Sequence, residues 1–101
     1  MVDYTLDELE KHIESQFTEG MTWEKYSKGK IWIDHILPIE LFEYKHYTDI
    51  QFKICWSLLN LRPLWKEDNI KKSDFLPNNQ RARDLTNEEK LEYLRSLGYS
   101  L

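Results

Sequence analysis

The sequence predicts a small α+β domain, with a helix near each end and two short strands between them. Three observations predict it. Two capping boxes, Thr5 with Glu8 and Thr86 with Glu89, each open a segment whose apolar residues recur at helical spacing. Two short runs, 31–36 (IWIDHI) and 59–64 (LNLRPL), have the length and apolar content of strands, with prolines marking their limits. A length of 101 residues suits one domain. Such a chain buries roughly two-thirds of its unfolded surface, enough for a modest core.

The elements follow in order. Leu6, Leu9, Ile13 and Phe17 form the stripe of the first helix, are expected in the core, and have Gly20 as their natural stop. Residues 21–30 (MTWEKYSKGK) read as a loop anchored by Trp23 and Tyr26. In the first strand Ile31 and Ile33 alternate with Trp32 and Asp34, and Pro38 ends or bends it. Residues 48–58 fit two patterns. Phe52, Ile54, Trp56 and Leu58 alternate as in a strand, whereas Thr48 before Asp49, with Ile50 and Ile54 four apart, favours a short capped helix. The helix is the preferred assignment. The second strand, 59–64, is limited by Pro63, and 66–73 (KEDNIKKS) reads as a polar helix. Pro77, Asn78 and Asn79 make 75–85 read as a linker. The last helix presents Leu91, Leu94 and Leu97, ends at Gly98, and is expected to pack on the core or on a second subunit.

Composition excludes several classes. Hydrophobic residues are 41% and charged residues 32%, which suits a globular chain rather than a disordered one. No apolar run approaches the roughly 18–20 residues of a membrane span. The opening MVDYTLDELE lacks the apolar centre of a secretory signal, so secretion is not expected. Cys55 is the only cysteine, which rules out an internal disulfide or a zinc site made of cysteine pairs and points to a reducing cytoplasm. The net charge of −4 is unlike a nucleic-acid coat protein. The charge is uneven, however. Residues 1–24 hold seven acids against Lys11, while 62–83 hold six cations against three acids. That asymmetry lets one face meet phosphate while the rest stays acidic; two solvated faces are the plainer reading of charge alone.

Four polar residues stand out: Asp34 and His35 in WIDHILP and Asn60 in LLNLRPLW, which sit in apolar surroundings, and Asn69 in KEDNIKK. Asp34 is a hard oxygen donor suited to Mg²⁺ or Mn²⁺. His35 titrates near neutrality and can take a proton from water. Neighbours on a strand face opposite ways, which favours a division of labour, Asp34 as ligand and His35 as base. An Asn at the start of a helix offers an amide oxygen to the same metal, and an Asn between strands pins a loop by bonding its backbone. Each also has a structural reading. Asp34 caps a strand end, His35 is a satisfied partly buried histidine, Asn60 is a turn residue and Asn69 a solvated helix residue.

In this order and spacing the residues W-I-D-H-I-L-P, then N-L-R-P-L-W-K-E-D-N-I-K-K, resemble the HNH endonuclease family, whose fold is the ββα-metal or His-Me finger. The third signature position is Asn69, as in the H-N-N form of small phage-type members, whose lead-in the segment GMTWEKY is also similar to. The resemblance covers residues 5–74 and is most specific over 31–73. It implies a lead-in helix and loop at 5–30 and a ββα-metal core at 31–74; the linker and C-terminal helix at 75–101 lie outside it and complete a single domain over 1–101.

The resemblance implies a metal-dependent DNA endonuclease that hydrolyses phosphodiester bonds, nicking included. His35 is implied as the general base and Asn60 as the residue that holds the loop orienting it. Asp34 and Asn69 are implied as ligands of one divalent metal, Mg²⁺ or Mn²⁺ rather than Zn²⁺, with Asp68 as an alternative to Asn69. Arg62, Lys71 and Lys72 lie where they can contact flanking phosphates. DNA is the expected partner, with RNA kept open, no membrane, and a monomer or homodimer. The expected setting is the cytoplasm of a bacterial or virus-infected cell. The 24 residues between His35 and Asn60 form a long insertion holding His46, read as a surface histidine or an extra phosphate contact. Trp23, Trp32, Trp56 and Trp65 are expected to pack the core, at least three of them. The alternative function is a catalytically inactive module of the same shape that binds nucleic acid or a protein partner. A third reading, a protein-interaction domain using the acidic first helix, leaves the four polar residues unexplained.

Overall fold

A computed structural model describes residues 2–101. Its elements are α1 (Leu6–Glu14), α2 (Trp23–Ser27), β1 (Ile31–His35), α3 (Ile50–Cys55), β2 (Leu61–Trp65), α4 (Lys66–Lys72) and α5 (Asn87–Ser96). Single 3₁₀ turns lie at Ile39–Leu41, Leu58–Asn60 and Ala82–Asp84. This is an α+β arrangement of helices around one two-stranded antiparallel sheet.

Both capping boxes form. The Thr5 hydroxyl accepts from the Glu8 N–H and the Glu8 carboxylate accepts from the Thr5 N–H; Thr86 and Glu89 repeat the pattern. The stripe of α1 is shorter than its sequence suggests. Ile13 is fully buried, but Leu6 is 83% exposed. The helix ends at Glu14, well before Gly20, because the following N–H groups turn back on Lys11, Ile13 and Glu14. Its anchorage lies at this end: His12 Nε2 and Gln16 Nε2 both reach the Leu61 carbonyl, at 3.0 and 3.1 Å. Gly20, at φ +87°, serves the turn into Met21 instead. Residues 23–27, expected as loop, form α2 because Thr22 caps it through the Lys25 N–H.

β1 and β2 pair from Ile31↔Trp65 to His35↔Leu61. The bonds Ile36 N–H to Asn60 O and Lys66 N–H to Lys30 O bracket the ladder. Alternation then makes Ile33↔Pro63 a non-hydrogen-bonded pair, so β2 tolerates a proline in its middle. Asp34↔Arg62 falls in the hydrogen-bonded class, with both side chains on one face. α4 covers that face, where Lys72 meets Asp34 and Lys66 lies over the Trp32 ring.

The main core gathers Leu37, Leu41, Phe42, Ile54, Cys55, Leu76, Ala82 and Leu94. It is mostly aliphatic, in contrast to the expected tryptophan core. Trp23, Trp56 and Trp65 are only partly buried, and Trp32 is exposed. Their polar edges and large rings sit at the rim: Trp23 donates to Glu14, and Trp56 to the Tyr44 hydroxyl. Residues 75–85 are not a linker. Phe75 pairs with Arg81 across a turn, and Leu76 and Ala82 are in the core. Buried Asp74 holds this turn, accepting from the Arg83 N–H at 2.9 Å while its carbonyl accepts from Ala82. In α5, Leu94 is buried but Leu97 is exposed. Among the described residues no helix is long and apolar enough to cross a membrane.

This packing sets a contrast within one helix. Ile13→Ala should cost about 2–5 kcal/mol through lost burial and a residual cavity. Leu6→Ala should stay within about 0.5 kcal/mol. Urea midpoints of the two variants check it.

Candidate functional site

The order β1, β2, α4 brings three of the four polar residues to one shallow cleft. Asp34, His35 and Asn69 line it together with Ile33, Pro38, Ile39, Glu40 and Lys72. Asp34 and His35 point to opposite faces of β1, yet both reach the cleft because the strand ends there. Asn69 comes from the middle of α4 and is half-buried. Asp68, its alternative, is exposed and does not line the cleft.

The fourth residue lies beneath. Asn60 is buried, and its amide makes three hydrogen bonds: Oδ1 accepts from the Leu37 N–H at 2.8 Å, and Nδ2 donates to the carbonyls of Leu37 (3.1 Å) and Cys55 (2.9 Å). Its backbone carbonyl accepts from Ile36. Asn60 thus fastens the chain leaving β1, directly after His35, to the end of α3.

Two cations hold the Asp34 carboxylate. Arg62 Nε lies 2.9 Å from Oδ2 and Lys72 Nζ 3.3 Å from Oδ1. Lys72 also donates to the His35 carbonyl at 2.9 Å. The His35 ring stands edge-on to Trp56, centroids 4.4 Å apart. Its Nε2 is buried without a hydrogen-bond partner. Burial disfavours the imidazolium and lowers the His35 pKa below its ordinary 6.5; Asp34 opposes this and Lys72 reinforces it. Burial thus favours the neutral imidazole, the state a base requires.

Arg62, Lys71 and Lys72 line a second cleft, with Ile36, Phe75, Leu76, Pro77 and Asn79 and no acidic residue. Lys72 lines both clefts. His46 lies in neither; it is exposed, beside Thr48 and Tyr47. Sequence reasoning missed Glu40, the packing of Trp56 on His35, and the ion pairs of Asp34. A glutamate two residues after Pro38 carries no recognisable signal, and the pairing of Lys72 with Asp34 depends on how α4 docks.

Among the described residues no group of three or more His, Cys, Asp and Glu side chains is placed to hold a metal ion. The oxygen donors Asp34 and Asn69, on one cleft, still fit a hard cation that keeps most of its waters. Their chemistry does not fit a closed four-ligand zinc site. No protein-family profile, curated protein or solved structure matches the chain.

Two measurements check this geometry. Asn60→Ala leaves three buried backbone groups without their partner and should cost about 3 kcal/mol in urea unfolding. In metal-free buffer, the depressed His35 pKa gives stability that is complete above about 6.5, the unfolded value, and is lost as pH falls toward the folded value. His35→Gln should flatten that part of the profile of unfolding free energy against pH.

Proposed function

We propose that the protein is a metal-dependent DNA endonuclease of the HNH type, with β1, β2 and α4 as its ββα-metal core. The observation that carries the reading is the meeting of Asp34, His35 and Asn69 on one cleft, with Asn60 fastened beneath it. Three polar residues from β1 and α4 share one cleft, and the fourth fastens the chain that leaves β1.

In this reading His35 takes a proton from a water as that water's oxygen bonds to phosphorus, and the opposite P–O bond breaks in line. Asp34 and Asn69 hold the divalent cation, Mg²⁺ or Mn²⁺, which when bound supplies Lewis-acid stabilisation of the phosphate and of the leaving oxygen. Asn60 keeps the His35 backbone in place. Arg62, Lys71 and Lys72 position the phosphodiester backbone without reading bases. One cleft cuts one strand, so a double-strand break takes a homodimer or two nicks. RNA carries the same phosphodiester link and is a substrate to compare.

The second reading, an inactive module that binds nucleic acid or a protein, draws support from the pairing of both Asp34 oxygens with cations. Supercoiled-plasmid nicking with Mg²⁺, Mn²⁺, Zn²⁺ or EDTA separates the two. Metal-dependent nicking should fall by about 10²–10⁴ in His35→Ala, the usual contribution of a general base. It should also fall in Asn69→Ala. Nicking that survives His35→Ala would sink the mechanism. DNA binding without cutting in any metal would favour the module.

A further inference from the structure

We infer that Lys72 is an internal counter-ion that competes with a divalent cation for Asp34 and yields when a phosphate group engages it. The inference rests on the metal-binding reading of Asp34 given above. Arg62 is the register partner of Asp34 across the sheet and holds Oδ2. That leaves Oδ1, and Lys72 occupies it. Lys72 follows Asn69 by three residues on α4, so both project from one face of the helix toward the same cleft. Its side chain is only 15% exposed and Asp34 only 5%, so solvent screens the pair weakly. A cation arriving at Oδ1 meets the Lys72 charge at contact distance.

Lys72 also lines the second cleft, beside Arg62 and Lys71, where no carboxylate competes. A phosphodiester there draws Lys72 off Asp34 and leaves Oδ1 to the cation. Each ligand then strengthens the other by the same factor, as linkage requires. Arg62 acts differently. It positions Asp34 from the far oxygen and has no need to move.

Mn²⁺ binding, read from the loss of the free-ion electron paramagnetic resonance signal, tests the competition without any activity assay. Lys72→Gln removes the competitor. Lys71→Gln removes an equal charge on the adjacent residue, which lies outside the Asp34 cleft. Lys72→Gln should bind Mn²⁺ about tenfold more tightly than Lys71→Gln, within the usual range of coupling between sites. Adding Asp34→Asn to Lys72→Gln should abolish that gain. Lys72→Met keeps the aliphatic stem and replaces Lys72→Gln if the latter melts early. Equal affinity in the Lys71 and Lys72 variants overturns the inference while leaving the metal site standing. Failure of every variant to bind Mn²⁺ overturns the metal reading and the inference together. A second arm uses fluorescence anisotropy of a labelled duplex in the His35→Ala background. Mn²⁺ should tighten DNA binding more with Lys72 present than in Lys72→Gln; an equal effect removes the exchange with phosphate.

Discussion

The Asn60 side chain is the constraint on which the rest depends. It joins the exit of β1 at Leu37, 23 residues before Asn60 in sequence, to the exit of α3 at Cys55. A loop that long carries a closure cost, and its polar backbone must find partners wherever it is buried. One amide supplies an acceptor and two donors to that backbone. Cys55 and Leu37 are thereby delivered to the same aliphatic core, and the chain after His35 has a fixed course. Only asparagine and glutamine carry a carboxamide with an acceptor oxygen and two N–H donors, and glutamine is a methylene longer.

Above that anchor, electrostatics shape the cleft. The chain is acidic as a whole, yet Arg62, Lys71 and Lys72 line one surface without an acidic neighbour. Asp34 lines the other cleft with Glu40, and its charge is balanced by two of those cations. Removing either partner of a buried pair is more disruptive than the pair's net contribution suggests, since an uncompensated charge is left behind. The arrangement couples the carboxylate of β1 to the helix that bears Asn69.

Much of the fold was legible in the sequence where the signal is local. Both capping boxes, the two strands and the helix after β2 lie close to their expected places, because caps, alternation and proline act over a few residues. What failed was tertiary. Leu6 has helical spacing but no partner surface, since α1 is held by its other end at Leu61. Pro77, Asn78 and Asn79 do mark a turn, but the spacing cannot disclose that Asp74 folds the turn inward and buries Leu76 and Ala82. Four tryptophans in a small chain suggest a core, whereas Trp23 and Trp56 keep an indole N–H bonded at the rim. At the site, Asp34, His35 and Asn60 stood out as polar groups in apolar runs, while Asn69 sits in a charged run and stood out only by its place in the resemblance. The Lys72 pair and the Trp56 contact did not, because they arise only when α4 and α3 dock, and the Arg62 pair follows from the register of β1 on β2.

The proline inside β2 has a consequence for how the molecule keeps to itself. A sheet of two strands has nothing but edges, each a template for a foreign strand. On the outer side of β2 the outward-facing positions are Leu61, Pro63 and Trp65. The Leu61 carbonyl is already taken by His12 and Gln16, and Pro63 has no N–H to give. An incoming strand would find two consecutive rungs missing and would lose most of its ladder. The residue that looks like a flaw in the strand is therefore a guard against sheet extension and the aggregation that follows from it.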